Sequence, residues 1–400
     1  MRMNSSDFTT FNISEVILHI VSGVSVNGND FKANKNEKGV LKTGCVKHGV
    51  FIPTENKRIL ESEIKRAKVN PVKNTIILNR SNTQELVGMV GYVKKDYKNL
   101  FLSDKLWLIQ ANEEIVDTKY FVYLLSSSKY SKKISSYATG TSASMKNISQ
   151  KTFENIQIQL PPLNIQYKVK NYLSSLEKKI QFQEEKINLL KVQKKGYMQK
   201  IFKQEIRFKD ENGREYSEWK VKKLKDVTTL ANKTRVGNPE AYNLLSVKLH
   251  LNGVEATDKK PNPTKNGRPY YIRNSGELII GRQNFHNGGI AIVDENTDGY
   301  VASNAISSFN VINNNNIHYI YLYISQVDYY KRVGYFMEGT GQKEISEAIL
   351  SDLVIEMPEL KEQEKIADFF FEFDKKVHHE QKKLDLLKEQ KKGFMQQMFA

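Results

Sequence analysis

Apolar residues recur at alternating spacings of three and four along two widely separated stretches of the chain. In residues 160–202 the series runs Leu173, Leu176, Ile180, Ile187, Leu190, Tyr197 and Ile201, with Gln183 and Lys194 filling two of its places. In residues 357–399 it runs Phe370, Phe373, Val377, Glu380, Leu384, Leu387, Lys391, Phe394 and Met398. A 3,4 seam flanked by charge predicts a coiled-coil helix, and polar residues on the seam fix register and partner at some cost in stability. The two stretches align without a gap at an offset of 197, with 17 of 43 positions identical; unrelated segments would share roughly three. The chain therefore carries a duplicated helix, and each copy is the natural partner of the other. Both begin just after proline, at Pro161-Pro162 and Pro358, which suits a helix start and is excluded from its interior. About 38 residues of helix span about 57 Å, the rise of about 17 base-pair steps. Gly196 and Gly393 hold equivalent places inside strong helix-forming sequence. A glycine there costs about 1 kcal/mol relative to alanine, so its recurrence predicts close backbone approach between the helices, with a shared bend as the alternative.

The rest of the chain lacks this period. Residues 1–158 and about 216–356 are richer in Gly, Asn, Ser, Thr and β-branched residues. Strand-like runs fall at 75–79, 86–93 and 105–109 in the first part, and at 277–280, 289–293 and 307–312 in the second. Helical runs come late in each part, near 118–127 and 319–330. Residues 203–223 are charged and turn-rich, as a linker should be. The fold class expected is α+β, with two α/β globular domains and two long helices. The domain boundaries drawn are 1–158, 159–204 for the first long helix, 205–356 for linker and second globule, and 357–400 for the second long helix.

The two globular parts share an order of elements where their identity is low. Arg80 follows a strand and precedes a turn in NTIILNRSNTQELVGMVG; Arg282 does the same in GELIIGRQNFHNGGIAIV. Each part then has Gly-Thr, a lysine (Lys146, Lys343) and Ile-Ser (Ile148-Ser149, Ile345-Ser346) before its long helix. The duplication thus covers the whole chain, and the parts diverge most across 31–70 and 235–275. One fold used twice with different loops would read two different things.

Charge narrows the partner. Sixty-one Lys and Arg against 45 Asp and Glu leave a net +16 with a pI near 9.4, which suits a polyanion. Nucleic acid is favoured over a membrane surface, because the apolar runs, such as that around 16–20, fall far short of the roughly 18 residues a span needs. The first helix copy carries +6 and the second is neutral; either the first lies nearer DNA or its lysines form a solvated face. The N-terminal MRMNSSDFTTFN has no export-type apolar core and Cys45 is the only cysteine, so a cytoplasmic setting without internal disulfides is expected.

Signatures of chemistry are missing. Asn262-Pro263-Thr264 and Asn70-Pro71-Val72 stop short of the Asn/Asp-Pro-Pro-aromatic tetrapeptide of amino-methyltransferases, and Gly339-Thr340-Gly341-Gln342-Lys343 lacks P-loop spacing and the Ser/Thr after Lys. His378-His379 point in different directions on a helix, and no zinc spacing occurs. Acid-x-Lys triplets at Glu177-Lys179 and Asp374-Lys376 lie within the helices, where such triplets are common by chance. No catalytic or metal site is expected.

The proline-led helices LPPLNIQYKV and MPELKEQEKIADF with their LLKxQKKGxMQ endings, the Gly-Thr…Ile-Ser lead-ins, and YSEWKVKKLKDV at 216–227 together resemble the DNA-specificity subunits of type I restriction-modification systems over essentially the full length. The resemblance implies two target-recognition domains held apart by an antiparallel coiled coil, each reading one half of a bipartite, usually asymmetric DNA site. It also implies a non-catalytic chain that binds two methyltransferase subunits, which methylate adenine N6 with S-adenosylmethionine, and restriction-translocase subunits that use ATP and Mg; none of these cofactors is expected on this chain. One departure stands out: the second part opens with Trp219 in a Trp-x-x-x-x-Leu pattern, while the first opens with residues 11–16 and no tryptophan.

Arginine bonds guanine O6 and N7, and Asn or Gln bridges adenine N6 and N7, so loops carrying these types are the candidate readers. They are Lys42, Lys47, His48, Arg80, Asn82, Gln84 and Lys146 in the first part, and Arg282, Asn284, His286, Asn287, Asn304, Gln342 and Lys343 in the second. Two other readings compete: the recognition part of a self-sufficient restriction-methylation enzyme, against which the missing tetrapeptide argues, and a structural coiled-coil protein whose charge is incidental.

Overall fold

A computed structural model describes residues 8–142, 145–257, 259–261, 269–336 and 344–399. The chain forms two compact units, residues 1–184 with 382–400, and residues 185–381. Each unit contains one globular part, half of its own long helix and half of the other.

In the first unit, strands Thr9–Asn12 and Gln157–Leu160 pair antiparallel and bring the two ends of the globular part together. A one-turn helix, Ile13–Val16, follows, its start capped by Glu15, whose carboxylate accepts from Asn12 N at 2.6 Å. The main sheet has six strands in the order Ile17–Ser22, Leu106–Ala111, Ile76–Asn79, Val90–Tyr92, Gly49–Phe51 and Val46–Lys47. Ile76, Ile77 and Leu78 are all fully buried because the sheet is covered on both faces. Ile76 and Leu78 join the core built with helix Thr118–Ser126, while Ile77 faces a second cluster with Leu41, Cys45 and Leu102. That is why this strand reads as a continuous apolar run rather than an alternation. The 86–93 run shortens to Val90–Tyr92. Gly88 precedes it at φ +80°, in the left-handed region, and a Cβ there would stand 2.4 Å from Ile134.

The second unit repeats the frame. Lys220–Lys223 pairs with Val354–Met357, a one-turn helix Leu224–Val227 follows, and the main sheet runs Thr228–Leu230, Ile306–Val311, Leu278–Gly281, Ile290–Ile292. Leu278 and Ile280 pack on one face and Ile279 on the other. Correspondence extends to single bonds: Ile13 N donates to Ile156 O and Leu224 N to Leu353 O. In this register Phe8 stands where Trp219 stands, so the first unit does have an aromatic opening residue, three positions earlier than the 11–16 segment suggests. Trp219 Nε1 donates to the buried Glu362. In the first unit the matching helix position holds Ile165, so neither donor nor acceptor is present.

The helices run Leu163–Phe202 and Leu360–Phe399, 40 residues each. Within the first unit Tyr172 meets Phe394, Glu177 meets Lys391 and Glu184 meets Lys388. Within the second, Lys186 meets Glu380, Lys194 meets Asp374 and Tyr197 meets Phe369. In both, one number rises as the other falls, which makes the pairing antiparallel. Leu173, Leu176, Ile187, Leu190, Phe370 and Leu384 are buried, and Ile180, Phe373, Val377 and Leu387 half-buried. The polar seam residues Lys194, Glu380 and Lys391 all carry ion pairs. The glycine expectation fails: a Cβ on Gly196 or Gly393 would meet nothing within 4 Å, so neither glycine serves close packing.

A buried glutamine locks each helix start to its globule. Gln166 accepts from Asp117 N and donates to Ile115 O and Pro161 O. Its counterpart at offset 197, Gln363, accepts from Asn316 N and donates to Pro358 O and Asn315 Oδ1. Asp117 and Asn316 in turn cap the helices Thr118–Ser126 and Ile317–Ile324.

Candidate nucleic-acid interface

Arg80 and Arg282 occupy the same place in the two frames. Arg80 N donates to Lys105 O, and Arg80 O accepts from Ile148 N; Arg282 N donates to Ala305 O, and Arg282 O accepts from Ile345 N. Each arginine thus ends a central strand and is tied to the residue pair that leads into the long helix. Both side chains are half-buried and the Nε of each has no hydrogen-bond partner among the described residues.

In the first unit, strands Ser81–Asn82 and Met145–Asn147 pair so that Lys146 lies opposite Asn82. Asn82 and Lys146 therefore lie side by side, two residues along from Arg80. The Arg80 guanidinium lies 5.8 Å over the Trp107 ring, and no acidic side chain pairs with it among the described residues. Lys146 Nζ donates to Gly140 O at 2.7 Å. Gln84 does not join this group: its amide donates to Ser135 O and Oγ at 2.7 and 2.9 Å, holding the turn onto helix Ser128–Ser136. Lys47 and His48 are exposed on the hairpin Val46–Lys47/Gly49–Phe51, with His48 at φ +46° in its turn, and Lys42, also exposed, lies before the short turn Thr43–Cys45 that leads into it. His48 also lines a cavity of about 520 Å³ with Lys129, Lys388, Lys391 and Lys392.

In the second unit the short helical segment Arg282–Asn287 carries four candidates. Arg282 Nη2 is ion-paired with Glu344 Oε1 at 2.6 Å. Asn284 is exposed. His286 is less available than the sequence suggests, because Gly334 packs against its Cβ and its Nδ1 is buried. Asn287 O accepts from His250 N, and Asn304 N donates to Pro269 O; Asn304 sits in the turn beside Ala305, the partner of Arg282. Gln342 and Lys343 lie outside the described residues.

Beneath this surface Glu347 is bound to Lys233 and to Ser307 Oγ. Burial would raise its carboxyl pKa, but the hydrogen bonds from Lys233 and Ser307 outweigh it and hold it below the usual range. Glu277, 3% exposed, accepts from Asn274 and Ser308. Arg273, 1% exposed, donates to Ile306 O, and burial lowers its pKa. Each of these groups is thereby tied to the strand Ile306–Val311. Among the described residues no group of three or more His, Cys, Asp or Glu could hold a metal ion, and no helix is long and apolar enough to cross a membrane.

The sequence profile of the type I restriction modification DNA specificity domain matches residues 5–192 and again residues 216–389. The chain belongs to this family. The MjaVIII specificity subunit of Methanocaldococcus jannaschii is 25% identical over 378 residues, 89% of this chain and 83% of that protein. The EcoEI specificity subunit of Escherichia coli is 28% identical over 158 residues, 39% of this chain and 27% of that protein. The crystal structure of the S subunit of a type I restriction-modification system from M. genitalium shares the fold, with a TM-score of 0.61 at 15% identity, covering 100% of this chain and 98% of that one. As a specificity subunit the chain serves DNA recognition. Sequence reading passed over Asn147 and Glu344, which the frame sets beside Arg80 and Arg282. The signal was present in their shared position just before Ile-Ser in both copies.

Proposed function

We propose that the chain reads a bipartite, gapped and asymmetric DNA site, one half with each unit, and directs two adenine-N6 methyltransferase subunits and the restriction-translocase subunits of a type I complex to it. The observation that carries this reading is the frame repeated bond for bond around Arg80 and Arg282, with different side chains at its tips. Two like frames with unlike tips suit two unlike half-sites. The net +16 supplies sequence-independent attraction to phosphates, while the loop Arg, Asn and Lys side chains supply the donors that base edges require. S-adenosylmethionine, ATP and Mg belong to the partner subunits in this reading, and the long helices set the number of unread base pairs between the halves. The test is sequencing of modified bases in DNA from cells with and without an intact gene. Loss of one gapped N6-methyladenine motif supports the reading, and an unchanged pattern in cells shown to express the complex refutes it.

A further inference from the structure

We propose that Glu344 and Asn147 are specificity-determining residues, each sharing base recognition with the arginine beside it, so that the second unit reads a cytosine where the first reads an adenine. This rests on the DNA-recognition reading above. The placement comes from the frame: the hydrogen bonds Ile148 N to Arg80 O, 3.0 Å, and Ile345 N to Arg282 O, 3.2 Å, put the preceding residue next to the arginine in each unit. In the second unit that residue is Glu344, ion-paired to Arg282, with side chains 34% and 19% exposed. In the first it is Asn147, half-buried, opposite Ser81 in the strand pair, and its amide makes no hydrogen bond among the described residues.

Chemistry separates the two. A carboxylate only accepts hydrogen bonds, so Glu344 cannot serve a phosphate and would repel one held by Arg282. Facing base edges it can accept from cytosine N4, while Arg282 donates to a guanine. The neighbouring Glu347 is not free for this role, being bound to Lys233 and Ser307. Asn147 offers both a donor and an acceptor, which fits adenine N6 and N7, and Arg80 beside it has no carboxylate to share. The same position is therefore acceptor-only in the second unit and both donor and acceptor in the first.

The experiment uses cells expressing the complete complex with wild-type chain, Glu344→Gln or Asn147→Ala, with modified-base sequencing as the readout and thermal midpoints of the purified chains as the folding control. Each variant is expected to lose discrimination about tenfold to a hundredfold at one base pair. Glu344→Gln should relax a cytosine in one half-site, and Asn147→Ala an adenine in the other. Wild-type motifs retained by both variants would overturn the inference. So would a uniform fall in methylation at all sites, or a lowered thermal midpoint with the motif intact, since Glu344 would then only hold Arg282 and its loop. Absence of any gapped motif with the wild-type chain would instead strike the reading on which the inference rests.

Discussion

Arg207 closes a two-point ion pair on Glu362, with Nε to Oε1 at 3.2 Å and Nη2 to Oε2 at 2.7 Å. Glu362 is fully buried, and the same Oε2 accepts from Trp219 Nε1 at 3.0 Å. The linker, the residue leading into the first strand, and the long helix of the second unit thus meet on one carboxylate. Removing it strands a partly buried guanidinium and an indole donor, and breaking such a pair costs about 3–5 kcal/mol. Glu362→Ala is expected to lower the stability of the second unit by that order in urea unfolding. A loss below about 1 kcal/mol would mean that water replaces the carboxylate easily.

Gly196→Ala and Gly393→Ala are each expected to stabilise the chain by roughly 0.5–1 kcal/mol, since a Cβ meets nothing at either place and helix propensity alone decides. Chemical denaturation of the single and double variants would check this, and destabilisation would show that these helix positions need glycine for a reason other than local packing.

Glu177 bridges Lys119 and Lys391 at 3.0 and 2.9 Å. Burial works to raise its pKa, but the two ammonium groups outweigh it and leave it below the ordinary value of 4.5. A depressed carboxylate stabilises the fold above its unfolded pKa and loses that contribution as pH falls through the folded one. Glu177→Gln should therefore be less stable than wild type at neutral pH. The gap between their urea midpoints should close as pH falls below about 4.5. A gap independent of pH would contradict the ion-pair account.

Cys45 is fully buried, and burial pushes its thiol pKa up to about 12. Only the thiolate is an effective nucleophile, so the native chain should resist alkylation at neutral pH and react fully once unfolded. Rapid labelling of the native protein, read by mass spectrometry, would show that the cluster around Leu41 and Leu102 opens readily.

Much of this architecture was visible in the order of residues, and the rest was hidden for identifiable reasons. The seam leucines, the helix bounds and the central strands follow from local periodicity, which a single chain displays directly. Residues 319–330 read as one helical run, yet the chain breaks at Ser325-Gln326 into Ile317–Ile324 and Val327–Val333; no proline or glycine marks the break. Gln84 has the right chemistry for a base, but Ser135, 51 residues away, claims its amide. Glu344 escaped notice because its meaning depends on Arg282, 62 positions earlier, brought beside it only by sheet pairing. The recurring glycines misled because recurrence shows that a residue is shared, without showing which neighbour it meets.

The sharing of helices between units has a consequence for synthesis on the ribosome. The first unit's core includes Met398 and Phe399, and Tyr120 packs its ring 5.5 Å from that of Phe399. A nascent chain that has already produced residues 1–184 therefore still lacks part of its first core, and at about 5–20 residues per second it waits roughly 10–40 s for the missing piece. During that interval apolar surface on Tyr120 and Leu173 is left without its final cover. The first unit's core is thus completed only after the whole of the second globular part has been synthesised.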